Sequence, residues 1–346
     1  MSSQRMVLRP NLSAGAAWAA LVIQFVMPLG TAAASEPTLV EVGEAFEFDA
    51  KQVAALRAGE VQKSELDANS DNELALSFAL LSSRSVDWHW QRILDSNRSD
   101  PTVLSTGELT GDGKASLENF TLPPEELDAL AKAKAGSNSN FSSDEILRLK
   151  KAAAEADGEK ARRQALQVEM RAILAARFEA YLGGGLAGIA PYDRGHGEES
   201  APALQLERAF SALMMTKRLV PNAYSAMADF PAPAPEGVDV GFFWMTHEAN
   251  GRVAVALIHV VAGRVDGRMA IVERRFYVSH TLNSLQVVSL VLPIDEGTAV
   301  FYANRTGTDQ VTGFGSSVAK GVGRKIMRGE LERSVEAFLK AIEGTN

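Results

Sequence analysis

The chain has 346 residues, 35 Lys and Arg against 43 Asp and Glu, a formal net charge of -8 and no cysteine. The lack of cysteine excludes a disulfide framework, thiolate chemistry and a lipobox anchor, and an acidic chain without a long basic run argues against nucleic acid or a polybasic membrane contact. At 46% hydrophobic residues it has the material for a large core.

Met1 to Ala34 reads as a secretory signal. Arg5 and Arg9 come first, an uncharged run from Leu12 to Val26 follows, Pro28 and Gly30 break it, and Ala32-Ala-Ala34 precedes Ser35. Cleavage there predicts a periplasmic protein that does not insert stably into the membrane, since export without disulfides suits a bacterial periplasm. The alternative is a membrane anchor retained through residues 14–34, an uncharged run of about 20 residues.

The rest divides into three parts, 35–116, 117–235 and 236–346. In the first, Lys51 to Arg57 is a short helix, and Glu60 to Leu66 and Glu73 to Leu81 are strands joined by the turn-rich Asp67-Ala-Asn-Ser-Asp-Asn72. Val86 to Ser96 is predicted helical, with Val86, Trp90, Ile93 and Leu94 on one face and Ser85 or Asp87 as cap. Pro101 to Leu109 is another short strand.

The middle part is rich in Ala, Glu, Lys and Leu and has repeated helix starts. Pro123-Pro-Glu-Glu-Leu-Asp-Ala-Leu130 puts Pro and acids in a first turn, and Ser142 with Glu145 is a capping box. The longest helix is expected over Glu159 to Leu182, where Leu166, Met170, Ile173, Leu174, Phe178, Tyr181 and Leu182 form a stripe that stops at Gly183-Gly-Gly185. One more helix is expected over Ala203 to Arg218, and Pro231-Ala-Pro-Ala-Pro235 is a stiff linker.

In the third part, Val238 to Met245, Arg252 to Ala262, Met269 to Thr281, Leu285 to Leu292 and Thr298 to Arg305 are strand-like runs. Their connections, Glu248 to Gly251, Val265-Asp-Gly267 and Asp295-Glu-Gly297, have hairpin chemistry, so an antiparallel meander follows. Val318, Val322, Ile326, Leu331, Val335, Leu339 and Ile342 then mark an amphipathic helix from about Ser317 to Ile342, whose stripe needs a sheet to cover.

This order of elements resembles the START-like, helix-grip superfamily. The counterpart of that family's early turn and aromatic-bearing helix is Ser83-Arg-Ser-Val-Asp-Trp-His-Trp90, followed by Gln91 to Asp95. The resemblance implies an α+β fold in which a curved antiparallel sheet grips a long C-terminal helix around an apolar cavity, here with a large all-helical insertion over 117–235. It implies no catalytic residue.

Several groups invite a chemical role. Gly183 to Gly188 follows a helix, so it suits a helix stop better than a phosphate cradle. His89, His196, His247, His259 and His280 have no metal-ligand spacing, and Gly313-Phe-Gly315-Ser316-Ser317 is not a nucleophile elbow. Trp88, Trp90 and Trp244 suit core packing as well as stacking on a ligand.

A two-residue period puts Arg274, Phe276, Val278 and His280 on one face, and Glu273, Arg275, Tyr277 and Ser279 on the other. If the first face looks toward the terminal helix, Phe276, Val278 and Leu257 contact a ligand, with Arg274 or His280 at its polar end and Tyr302 nearby. The same charged and hydroxyl groups can instead pair across strands with Tyr302, Asn304 or Arg305. The expected partner is a hydrophobic small molecule or lipid, bound without catalysis and without a cofactor. The alternatives are an envelope hydrolase or cyclase using Glu273 or His280 as base, and a protein-interaction module that uses the helical insertion.

Overall fold

The structure is a computed structural model. It describes residues 38–96, 102–136, 139–211, 214–249 and 251–309, with Gly329, Glu332, Glu336, Leu339 and Lys340 of the C-terminal segment. The signal or anchor expected over residues 1–34 lies outside the described residues. So does the terminal helix expected from about Ser317 to Ile342, apart from those five positions, which are helical.

The fold is α+β, built on one eight-stranded antiparallel sheet. Two short helices come first, α1 (Leu39–Ala45) and α2 (Ala50–Arg57), each opened by a capping box, Thr38 with Glu41 and Asp49 with Gln52. The hairpin β1 (Gln62–Glu65) and β2 (Glu73–Ser82) leads through α3 (Val86–Ser96) to β3 (Val103–Glu108). The long meander is β6 (Val238–Ala249), β7 (Arg252–Val265), β8 (Arg268–Val278), β9 (Ser284–Ile294) and β10 (Gly297–Gly307). Strand order is β1-β2-β10-β9-β8-β7-β6-β3, so the first hairpin and β3 close opposite edges of the meander. The turn between β7 and β8 is Asp266-Gly267, both at positive φ (49° and 77°), the conformation a two-residue hairpin needs.

The segment between β3 and β6 supplies α4 (Gly113–Ser116), α5 (Pro124–Leu130), α6 (Ser143–Ala154) and α7 (Glu159–Gly184), then α8 (Pro202–Ser211), α9 (Met214–Leu219) and α10 (Pro221–Ala228). It is not wholly helical: β4 (Tyr192–Gly195) and β5 (Glu198–Ser200) form a hairpin of their own. Gly195 and Gly197 make that hairpin possible, since both sit at positive φ (82° and 79°). The helix expected over Ala203 to Arg218 is described on both sides of residues 212–213, as α8 and α9, and α10 starts at Pro221. The long helix α7 ends where the glycines predict. Gly185 takes φ 56° and its N–H is given to Tyr181 O.

The two faces of the sheet bury different partners. On the first, Val261, Val272, Val288, Leu290 and Phe301 pack under α1, α2 and α8 to α10. The same face continues beneath α4 to α7 with Trp244, Val255, Leu257, Phe276 and Tyr277. The second face carries Leu80, Met269, Ile271, Val291 and Val300, covered by Trp90 and Ile93 of α3, and Leu339 of the C-terminal segment packs there too. The inserted helices therefore roof the sheet.

One irregularity redirects the side chains of β8. Leu257 faces Tyr277, but its neighbour Ile258 faces Arg275, so Phe276 is an extra residue in the ladder. Such a bulge puts two successive side chains on one side and inverts the alternation beyond it. Arg274, Phe276 and Tyr277 consequently lie on the roofed face. Val278 lies on the opposite one, among Phe243, Met245, Ala256 and Ile258. The strict two-residue period expected for Arg274, Phe276, Val278 and His280 stops at the bulge. Among the described residues no helix is long and apolar enough to cross a membrane.

Candidate functional site

Two places on the roofed side bring polar groups together. The first is a cleft of about 170 Å³ between α5 and the β7 end of the sheet. Its floor is apolar, with Leu122, Leu130, Phe141, Met170, Val253 and Val255, and its other walls include Glu126, Lys132, Lys134, Arg252, Ser279 and His280. The acid-rich first turn of α5 carries Glu126 inward beside Leu127. There Glu126 accepts from Arg252 Nη2 at 2.7 Å and from the Val253 backbone N–H at 3.0 Å. Burial raises the Glu126 pKa, but those two donors and the nearby His280 outweigh it, so the carboxyl sits below its ordinary value.

His280 is buried at the end of this cleft, with Nε2 3.2 Å from Val253 O. Burial first, and the Arg252 charge second, hold its pKa below the ordinary value, so it is neutral at pH 7. A carbonyl oxygen only accepts, so the neutral imidazole carries its proton on Nε2 and donates from it. Ser279 Oγ accepts from Val255 N–H at 2.9 Å. Both groups are thus engaged in holding strand ends together.

The second place lies deeper, under α7 and α10. Tyr181 of α7 stacks on Phe276, centroids 4.0 Å apart, and also on Phe230 at 5.0 Å. Phe230 and Phe242 flank His259 at 4.6 and 4.5 Å. Inside this aromatic shell Arg274 is only 1% exposed. Its Nε donates to Gln286 Oε1 at 3.2 Å, and its Nη1 donates to Tyr181 OH at 3.3 Å and Met227 O at 3.4 Å. All three acceptors are neutral.

The expected site residues are thus divided by the structure. Arg274, Phe276 and Leu257 share the roofed face, but the ring of Phe276 is covered by Tyr181 and Leu257 is fully buried. His280 belongs to the α5 cleft, and Val278 to the opposite face. Tyr302 stacks on Phe78, centroids 4.8 Å apart, and burial pushes its pKa to about 12. Glu273 is held by Arg275 Nε at 2.8 Å and its charge acts on Tyr302, so it does not meet His280 in one cleft.

The participants not anticipated are Glu126, Arg252, Lys132 and Lys134 in the cleft, and Tyr181, His259 and Gln286 in the deep centre. Glu126 read as an ordinary first-turn acid, and Tyr181 as one position in an apolar stripe. Only the packing of the insertion on the sheet joins them to β7 and β8. No family model, curated protein or solved structure matches this chain.

Proposed function

We propose that the chain is an exported cell-envelope protein that binds a lipid-like molecule without converting it, and that the α5 cleft receives one end of that ligand. What supports this is the make-up of the cleft: an apolar floor beneath a rim that carries Lys132, Lys134 and Arg252. An apolar floor with a few cations at the edge suits an amphiphile with an anionic head. At about 170 Å³ the cleft is smaller than an enclosing cavity of a few hundred Å³, so part of the ligand stays outside. The neutral, hydrogen-bonded state of His280 and the Arg252-bound state of Glu126 fit a wall better than a general base. The order of elements supports a distant START-like relationship, with the ligand on the insertion side of the sheet.

The test is titration of the purified protein with a fluorescent fatty acid. Ala129→Trp, which fills the cleft from α5, is expected to weaken binding at least tenfold with the unfolding midpoint retained, and Lys132→Glu with Lys134→Glu to weaken it for a carboxylate head but not for the matching alcohol. Unchanged affinity in folded Ala129→Trp protein sinks the proposal. N-terminal sequencing of exported protein checks the location, and a start near Ser35 is the expected result.

A further inference from the structure

We propose that Arg274, with His259 and Tyr181, forms a buried centre for one small monovalent anion, separate from the α5 cleft. The proton arrangement follows from three contacts. A guanidinium only donates, so the Tyr181 oxygen accepts from Arg274 Nη1 at 3.3 Å. The Tyr181 proton is then free to go to His259 Nδ1, 2.9 Å away. Nδ1 being the acceptor, the neutral imidazole carries its own proton on Nε2. That Nε2–H is buried and has no partner among the described residues, His259 itself being fully buried.

Arg274 has a shortfall of a different kind, one of charge. Its Nε and Nη1 are engaged, and no hydrogen bond is made by Nη2 among the described residues. No carboxylate of the described residues makes an ion pair with it, whereas the similarly buried Arg177 and Arg305 are answered by Glu145 and Glu73. Placing a cation without a carboxylate in an apolar interior is costly, and the Phe210 ring 5.4 Å from its guanidinium offsets only part of that. Arg274 and His259 are direct cross-strand partners on the same face. What is left over is therefore one buried N–H donor and one cation without a carboxylate, on adjacent strands. What they lack is an acceptor with negative charge.

The setting limits the ligand. The centre is ringed by Tyr181, Phe210, Phe230, Phe242 and Phe276, and the α5 cleft is not lined by Arg274 or His259. An enclosure of aromatic rings around so few donors suits a small monovalent anion such as chloride or formate better than a phosphate ester. Bound there, it would act as a structural counter-ion that ties β7 and β8 to α7.

The experiment uses the full chain with chloride and formate as probes, titrated against gluconate at constant ionic strength. The unfolding midpoint is expected to rise saturably, by about 3–6 °C at a hundredfold excess over the dissociation constant. In parallel, the ¹⁵N signals of His259 are expected to show the Nε2–H tautomer and to move with the same titration curve. Arg274→Met should lose the thermal response, and Lys132→Glu with Lys134→Glu should keep it. If Arg274→Met does not fold, the ¹⁵N titration of the unaltered protein decides. A flat midpoint with unmoved His259 signals overturns the proposal, as does a response that disappears in the cleft variant instead.

Discussion

His89 is buried in α3 with both ring nitrogens unpaired among the described residues, and burial, helped by the Arg84 charge, lowers its pKa to about 4. Because the folded value lies below the unfolded one, the unfolded chain binds the proton more readily between about pH 6.5 and 4. Stability from this group is therefore present above pH 6.5 and is lost as the pH falls toward 4. At pH 5 the loss is about 2 kcal/mol for His89 alone, and His259 and His280, shifted in the same direction, add to it. Urea unfolding at pH 7.5 and 5 checks this: His89→Leu should shrink the difference between the two stabilities by about 2 kcal/mol. An equal loss in both proteins would place the acid sensitivity elsewhere. Phe276 makes a second case at this scale. It is stacked on Tyr181 and 2% exposed, so Phe276→Ala should cost about 3–5 kcal/mol in the same assay.

Among the elements, α7 reaches both polar sites, with Met170 in the lining of the α5 cleft and Tyr181 in the deep centre, because its successive turns meet different parts of the sheet. Phe178 and Tyr181 meet Phe242, and Tyr181 also meets Phe276, while Arg177 lies over the Tyr277 ring at 4.4 Å. Arg177 Nη2 donates to Glu145 of α6 at 2.6 Å, both side chains being nearly enclosed. Removing one member of such a pair leaves the other charged and unpaired. Glu145→Gln should therefore cost about 3–5 kcal/mol, and Glu145→Leu with Arg177→Met should recover much of it. Equilibrium unfolding of the three proteins gives the comparison, and additive losses would count against the pair. A second tie runs through β4: Arg194 reaches Asp309 at 2.6 Å just past β10, and Asn140 and Asn283 at 2.8 and 3.0 Å. Periodicity marked α7 well because its apolar stripe runs over many turns. The β4–β5 hairpin escaped because Tyr192 to Ser200 has too few apolar residues to alternate.

For the whole molecule, the consequence is that the insertion is part of the core. Leu290, Phe301, Leu257 and Phe276 all lie on the face that the inserted helices cover. A chain lacking residues 117–235 should expose that face and be recovered as aggregate, or as an expanded protein that binds apolar dyes. A soluble deletion with cooperative unfolding would show that the sheet folds without its roof.

The sequence by itself determined the α+β class, the meander with its hairpin turns, α3, α7 and the capping box at Ser142, because each rests on local periodicity or turn chemistry. It also marked Arg274 as a candidate polar contact. The side of the sheet facing each helix was decided only in three dimensions. Alternation assigns residues to two faces without saying which is roofed, and the extra residue at Phe276 reverses the assignment partway along β8. The grouping of Glu126 with His280, and of Tyr181 with His259 and Arg274, spans about 150 and 90 residues of chain. Neither sequence spacing nor residue type encodes such contacts. They come into being only when α5 and α7 are laid across β7 and β8.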